Sequence, residues 1–137
     1  MAEPIPDRRK TDPAHTVLWA MFQFNGRMTR EEYWWSNGLL FGSTLVAFYM
    51  IFGSHISLSD TNEILLPDHL MSQFFMIMLA SLYVTFAISV KRLHDLGAPG
   101  LVAVVFVFPF IGILAFVLLG LLKGQPNDNK YGAQWPQ

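Results

Sequence analysis

The stretch Val90-Lys91-Arg92-Leu93-His94-Asp95-Leu96-Gly97 decides the fold of this chain, because it is a dense block of charge between two long apolar runs. Four of the five residues from Lys91 to Asp95 are ionisable, and such a block is too costly to place in hydrocarbon. The stretch therefore predicts a membrane–water interface, with a membrane-spanning helix before it and a second apolar segment after it.

The composition of the whole chain also predicts a membrane protein. Of its 137 residues, 53% are hydrophobic and only 14% are charged. Three segments without Asp, Glu, Lys or Arg cover about residues 34–52, 70–90 and 101–122, and each matches the roughly 20 residues that a helix needs to cross a bilayer. The predicted fold class is an all-α integral membrane protein, a small bundle of about three transmembrane helices with an N-terminal interfacial helix at residues 15–24.

The distribution of basic residues predicts the orientation. Lys and Arg cluster before the first span and directly after the second, whereas the connection at residues 53–69 has none. The positive-inside rule then predicts a multi-pass protein with a cytoplasmic N-terminus. We expect residues 1–14 to form a disordered cytoplasmic tail, residues 15–133 a single membrane domain, and residues 134–137 the end of the C-terminal tail.

The first span has a well-defined start. Thr29 and Glu32 fit a capping box, in which each residue satisfies a backbone N–H of the other. Arg27 and Arg30 lie just outside the lipid as anchors. Two further roles are open for them, contact with lipid phosphates and an ion pair with Asp95 on the same face of the membrane.

Small residues predict how the first two spans pack. Gly38 and Gly42 form a GxxxG pair in the first span, and Ser81, Thr85 and Ser89 recur every four residues in the second. Small side chains let two helices approach closely, so we expect these faces to pack against each other. Self-association of two chains through the same glycines is the alternative.

The third apolar segment contains Pro109 and Gly112 near its middle. Proline removes a backbone hydrogen bond and bends or breaks a helix. The length of the segment favours one kinked crossing, which would place the C-terminal tail outside. The alternative is a re-entrant hairpin that turns at Pro109 to Gly112 and returns the tail to the inside.

The charged block offers little catalytic chemistry. Arg92 and Asp95 are three residues apart, a spacing that permits an ion pair, and Gly97 and Pro99 end the helix. Adjacent helical residues point about 100° apart, so His94 and Asp95 do not chelate a metal by themselves. We predict no catalytic residues, no metal site and no cofactor. The block is interpreted as a topology-fixing helix end, or as a site that docks a partner or a lipid headgroup.

Three separated motifs resemble one family. They are FNGRMTREEYW (residues 24–34), KRLHDLG (91–97), and PFIG (109–112) followed by GQPNDNKYG (124–132). Over about residues 15–133 the chain is similar to the YhaH-like family of small bacterial inner-membrane proteins, a domain of unknown function. Lys91 departs from the pattern, since the family usually has an arginine there, and Ala98–Leu101 replaces a polar, tryptophan-containing sequence.

The resemblance implies a location in the bacterial inner membrane, and it supplies neither a substrate nor catalytic residues. It also draws attention to the tail, where the matched residues Asn129, Tyr131 and Gly132 are candidates to fold back onto the surface from Arg92 to Asp95. That arrangement requires a cytoplasmic tail.

Three classes of function follow from these observations. The favoured class is a non-catalytic membrane component that binds a partner or lipid through the arginines and the His94-Asp95 block. A transport or channel unit would need several copies, because three spans without an intramembrane charge provide no ion relay. An interfacial enzyme on lipid or isoprenoid substrates would use His94 and Asp95 as acid–base groups. The expected partners are the lipid bilayer, another membrane protein or a second copy, and not nucleic acid.

Overall fold

In a computed structural model that describes residues 17–53 and 68–132, the chain is helical. Its elements are α1 (Val17–Phe22), α2 (Arg30–Phe52), α3 (Asp68–Asp95), a 3₁₀ helix (Gly100–Val107) and α4 (Pro109–Leu121). The all-α prediction is therefore confirmed for the described residues. The predicted tails at residues 1–14 and 134–137 and most of the predicted external loop lie outside them.

Helices α2 and α3 are the two described helices that are long and apolar enough to cross a membrane. They contain 23 and 28 residues, which rise about 34 and 42 Å at 1.5 Å per residue. In the most apolar 18-residue window, only 11% of α2 and 28% of α3 is buried within the protein. The apolar surfaces of both helices therefore face outward and suit contact with lipid.

Local sequence signals set the start of α2 and the end of α3. The capping box is present, since Thr29 N donates to Glu32 Oε2 at 2.9 Å and Glu32 N donates to Thr29 Oγ1 at 3.3 Å. Helix α3 ends at Asp95, and Gly97 adopts a left-handed φ of 76° that favours glycine. These two helix ends lie together, because Met28 N donates to the carbonyl oxygen of Lys91 at 3.3 Å.

The third apolar segment is a hairpin with both ends at the same end of the bundle. The 3₁₀ helix starts beside the end of α3, where Ala98 N donates to Leu93 O at 2.9 Å. Helix α4 returns to this place, where Leu119 O accepts a hydrogen bond from Arg92 Nε at 2.8 Å. The favoured prediction of one crossing by residues 101–122 is not confirmed. The segment folds back as the alternative predicted, but its turn is at Phe108 and not at Pro109 to Gly112.

The backbone at the turn explains why the segment does not continue as one helix. Phe108 is extended, with φ −97° and ψ 109°, and Pro109 follows at the first turn of α4, the position where a helix tolerates proline. The eight residues of the 3₁₀ helix and the 13 of α4 rise only about 16 and 20 Å. Neither arm spans a bilayer of about 30 Å. The bundle thus has two long helices and a hairpin in place of three spans.

The two glycines of the GxxxG pair contact no other helix. A Cβ atom built on Gly38 or Gly42 would meet nothing within 4 Å outside its own turn of helix. Helices α2 and α3 meet nearby through Thr44 and Ser81, whose hydroxyl oxygens are 3.0 Å apart. The prediction that Gly38 and Gly42 let the second span approach is wrong, because open space lies beside both glycines.

Candidate functional site

The charged block at the end of α3 is buried inside the protein. Lys91 and Arg92 are fully buried and Asp95 is 2% exposed. Arg27, from the loop before α2, is also 2% exposed and joins them. We call these four residues the buried charge cluster.

Asp95 lies between two arginines in this cluster. Its Oδ1 atom is 2.9 Å from Arg27 Nη2 and accepts a hydrogen bond from Arg27 Nε at 3.0 Å, while its Oδ2 atom accepts one from Arg92 Nη1. The guanidinium of Arg27 also donates to the backbone carbonyls of Gln125 and Asn127, both at 2.8 Å. The two ion pairs that the sequence permitted, Arg27 with Asp95 and Arg92 with Asp95, are therefore present. Arg27 also holds the tail that follows α4.

Arg92 caps the end of α4. It donates to Leu119 O at 2.8 Å and to Leu122 O, and these carbonyls lie where a helix has no further N–H groups to satisfy them. Its Nη1 atom also donates to Met28 O at 3.2 Å. A cation at the carbonyl end of a helix opposes the partial negative charge there. Arg92 thus fixes the returning arm of the hairpin against α3 and the start of α2.

Lys91 has the corresponding role at the end of α1. Its ammonium donates to the carbonyls of Trp19 at 3.1 Å, Ala20 at 2.7 Å and Gln23. These bonds use its three N–H donors. The Trp19 ring lies 4.9 Å from the same nitrogen. These contacts form a compact cage around the ammonium.

The tail folds back onto His94. The Tyr131 ring stacks on the imidazole with centroids 3.8 Å apart and planes 7° apart. Asn129 Nδ2 donates to His94 O at 2.9 Å, and Asn129 and Gly132 exchange two backbone hydrogen bonds at 3.1 and 3.0 Å. His94 Nδ1 lies 3.2 Å from Gly26 O, and we assign the proton to Nδ1 because a carbonyl only accepts. The structure therefore brings the three matched tail residues onto the block.

The burial of these charges weighs against the interpretation of the block as a docking surface. The side chains of Arg27 and Arg92 are 0% exposed, and a headgroup could bind them only by displacing their internal acceptors. Both oxygens of Asp95 are engaged by arginines, so Asp95 does not orient His94 as an acid–base partner. Arg30 differs, because it is half-buried and makes no hydrogen bond or ion pair with any described residue.

A cavity of about 630 Å³ lies between α2, α3 and the hairpin. Its walls are mainly apolar and include Phe41 of α2, Phe106 of the 3₁₀ helix and Ile113 of α4. Phe41 and Ile113 are each 66% exposed, which places them at a rim that opens on the side of the bundle. The volume falls within the roughly 300–1,000 Å³ of small-molecule pockets. Gly38 lines this cavity, and its missing side chain keeps that wall open.

A few polar side chains also line the cavity. Asn37 is 8% exposed and donates from Nδ2 to Tyr33 O at 2.8 Å. Ser81 and Thr85, which were predicted to pack against the glycines, form part of the wall instead. Ser89, the third residue of that series, is fully buried. Among residues 17–53 and 68–132, no three His, Asp or Glu side chains are grouped to hold a metal ion.

Trp34 forms the end of the cavity nearest the buried charge cluster. Its Nε1 atom donates to Gly120 O at 3.2 Å. A Cβ atom on Gly120 would lie 2.4 Å from Trp34 Cζ2, so only glycine admits the ring in this position. The sequence contained no signal for this contact between residues 86 positions apart in the chain.

Comparison with known proteins identifies relatives of this chain. A family model described as "Protein of unknown function (DUF805)" matches residues 21–133. Inner membrane protein YhaI of Escherichia coli K12 is 28% identical over 117 residues, which cover 85% of this chain and 89% of YhaI. Uncharacterized protein YiiR of the same strain is 35% identical over 104 residues, which cover 76% of this chain and 58% of YiiR. No solved structure matches the chain.

These matches confirm the resemblance to small bacterial inner-membrane proteins, and the apolar surfaces of α2 and α3 agree with an inner-membrane location. They supply no biochemical activity. The chain belongs to the DUF805 family of membrane proteins, whose function is unknown.

Proposed function

We propose that this protein is a non-catalytic, multi-pass inner-membrane protein that binds a lipid hydrocarbon chain in the cavity. The observation that carries the proposal is the open, mainly apolar space of about 630 Å³ beside Gly38. Helices α2 and α3 cross the bilayer, with the buried charge cluster at the cytoplasmic end as the positive-inside rule predicts. In this orientation the cavity opens sideways into hydrocarbon.

The membrane setting favours a lipid chain as the occupant of the cavity. Hydrocarbon contains almost no water to fill a lateral opening, and an empty apolar cavity forfeits the dispersion contacts of its walls. Lipid chains surround the protein in the bilayer, and a chain that enters the cavity restores those contacts. Gly38 and the rim residues Phe41 and Ile113 give it a route in from the side.

The contacts of the charged block favour a structural role for it over a catalytic one. Lys91 and Arg92 bind the carbonyl ends of α1 and α4, and Asp95 pairs with two arginines. Its hydrogen-bonding groups are therefore committed to holding the hairpin, the tail and the N-terminal segment together. The hairpin that they hold forms one wall of the cavity.

Two matched substitutions test the proposal. In Gly38→Leu the new side chain fills part of the cavity, whereas in Gly42→Leu it enters equally open space one turn away that does not line the cavity. Leucine displaces about two or three methylene groups of a bound chain at ~0.8 kcal/mol each. We expect lipid retention to fall at least about tenfold in Gly38→Leu.

Native mass spectrometry of protein purified in mild detergent measures the bound lipid. The wild type and Gly42→Leu should each carry about one lipid per chain, and all three proteins should have the same helix content by circular dichroism. A wild type without lipid, or a Gly38→Leu protein that retains it, would contradict the proposal.

A further inference from the structure

We infer that the lipid in the cavity carries a phosphate group, and that Arg30 and Lys123 bind this phosphate. The inference rests on the proposed lipid binding and adds the chemical class of the ligand. The two cations lie at the end of the bundle where α2 begins and α4 ends.

The positions of the two cations follow from the contact between Trp34 and Gly120. Trp34 lines the cavity, and Arg30 precedes it by four residues on the same face of α2. Lys123 follows Gly120 by three residues, just beyond the end of α4 at Leu121. The hydrogen bond from Trp34 to Gly120 joins the two helices here. Arg30 and Lys123 therefore stand at the ends of the two helices that this hydrogen bond joins, Arg30 at the start of α2 and Lys123 just past the end of α4.

The availability of these cations distinguishes them from the buried charge cluster. Arg27 and Arg92 donate to Asp95 and to backbone carbonyls, and Lys91 donates to backbone carbonyls. Arg30 is half-buried and Lys123 is exposed, and within the described part of the chain neither makes a hydrogen bond or an ion pair. Their N–H groups are thus free to donate to an anion.

Among the described residues, the nearby carboxylates form no ion pair with Arg30 or Lys123. Glu32 is engaged with Thr29 in the capping box, and Glu31 is about 100° from Arg30 around the helix. A chain that runs along the apolar wall past Trp34 would present its polar end to Arg30 and Lys123. Charge-assisted hydrogen bonds from an arginine and a lysine suit phosphate oxygens, so the geometry favours a phosphate over a neutral headgroup.

A lipid competition experiment tests the inference. Delipidated full-length protein is mixed with phosphatidylglycerol, a polyisoprenyl phosphate or phosphate-free diacylglycerol, and bound lipid is counted by native mass spectrometry. We expect the wild type to prefer a phosphate-bearing lipid over diacylglycerol by at least about tenfold, which corresponds to ~1.4 kcal/mol. The better binder of the two phosphate lipids identifies the source of the phosphate.

Charge-removing variants test which residues cause the preference for phosphate-bearing lipids. Arg30→Gln and Lys123→Gln should each reduce it several-fold, and the double variant should abolish it while diacylglycerol still binds. Lys130→Gln is the matched control, because Lys130 contacts the Tyr131 ring in the tail, and it should keep the preference. An unchanged preference in the double variant overturns the phosphate inference and leaves the proposed lipid binding intact. If the wild type binds none of the three lipids, both fail.

Discussion

Arg27 Nη2 lies 2.9 Å from Asp95 Oδ1, although the two residues are 68 positions apart in the chain. Arg92 pairs with the other oxygen of the same carboxylate. One buried anion therefore serves two buried cations, and backbone carbonyls from the end of α4 and from the tail complete their coordination. This arrangement joins four segments of the chain at one end of the bundle.

Removal of this anion should destabilise the protein strongly. In Asp95→Asn the two guanidiniums keep their burial and lose their counter-charge, and breaking a buried pair in this way costs about 3–5 kcal/mol. The free energy of unfolding, measured by denaturant titration in mixed micelles, should fall by that amount. Glu31→Gln is the matched control at an exposed position in the first turn of α2, and it should cost no more than about 1 kcal/mol. Equal stability of the two variants would contradict the structural role of Asp95.

Lys91 should be required for the position of α1. Lys91→Met leaves three carbonyls at the end of α1 without their donor, and each unsatisfied buried group costs about 1–3 kcal/mol. We expect backbone amides of residues 17–23 to lose protection from hydrogen exchange, while protection in the middle of α3 is unchanged. Lys91→Arg should restore part of the protection, because a guanidinium also donates to carbonyls. Full protection in Lys91→Met would show that α1 is held by other contacts.

Gly112 should be required for the hairpin. A Cβ atom there would lie 3.2 Å from the backbone Cα of Phe106 in the opposite arm. Gly112→Val should therefore force the arms apart and lower the free energy of unfolding by about 1–3 kcal/mol. Gly42→Val places the same side chain in open space and should change it by less than about 0.5 kcal/mol. The opposite order of stability would exclude the observed packing of the two arms.

Local signals in the sequence predicted the local features of this structure. The capping box at Thr29 and Glu32, the helix stop at Gly97 and the spacing of Arg92 and Asp95 each depend on residues within a few positions of each other. The sequence also allowed the ion pair between Arg27 and Asp95, because it places both residues on the same face of the membrane. Contact of the arginine with lipid phosphates was the alternative.

The hairpin and the cavity could not be predicted from those signals. The apolar segment at residues 101–122 is long enough for one crossing, and length alone does not reveal that Phe108 is extended and that the first arm is a 3₁₀ helix. The GxxxG pattern also has two physical outcomes. A missing side chain lets a second helix approach, or it leaves a wall open, and the position of the hairpin selects the second outcome beside Gly38.

The wall of the cavity and the capping of Leu119 and Leu122 by Arg92 both depend on the return of α4 to the end of α3. The chain has no cysteine, so single cysteines at Pro99, Lys123 and His69 can each be labelled with an impermeant maleimide in intact spheroplasts and after membrane disruption. We predict that Pro99→Cys and Lys123→Cys share one pattern, protected until the membrane is opened, and that His69→Cys is labelled in intact spheroplasts. Labelling of Lys123→Cys together with His69→Cys, on the side opposite Pro99→Cys, would show that the third apolar segment crosses the membrane and would rule out the hairpin.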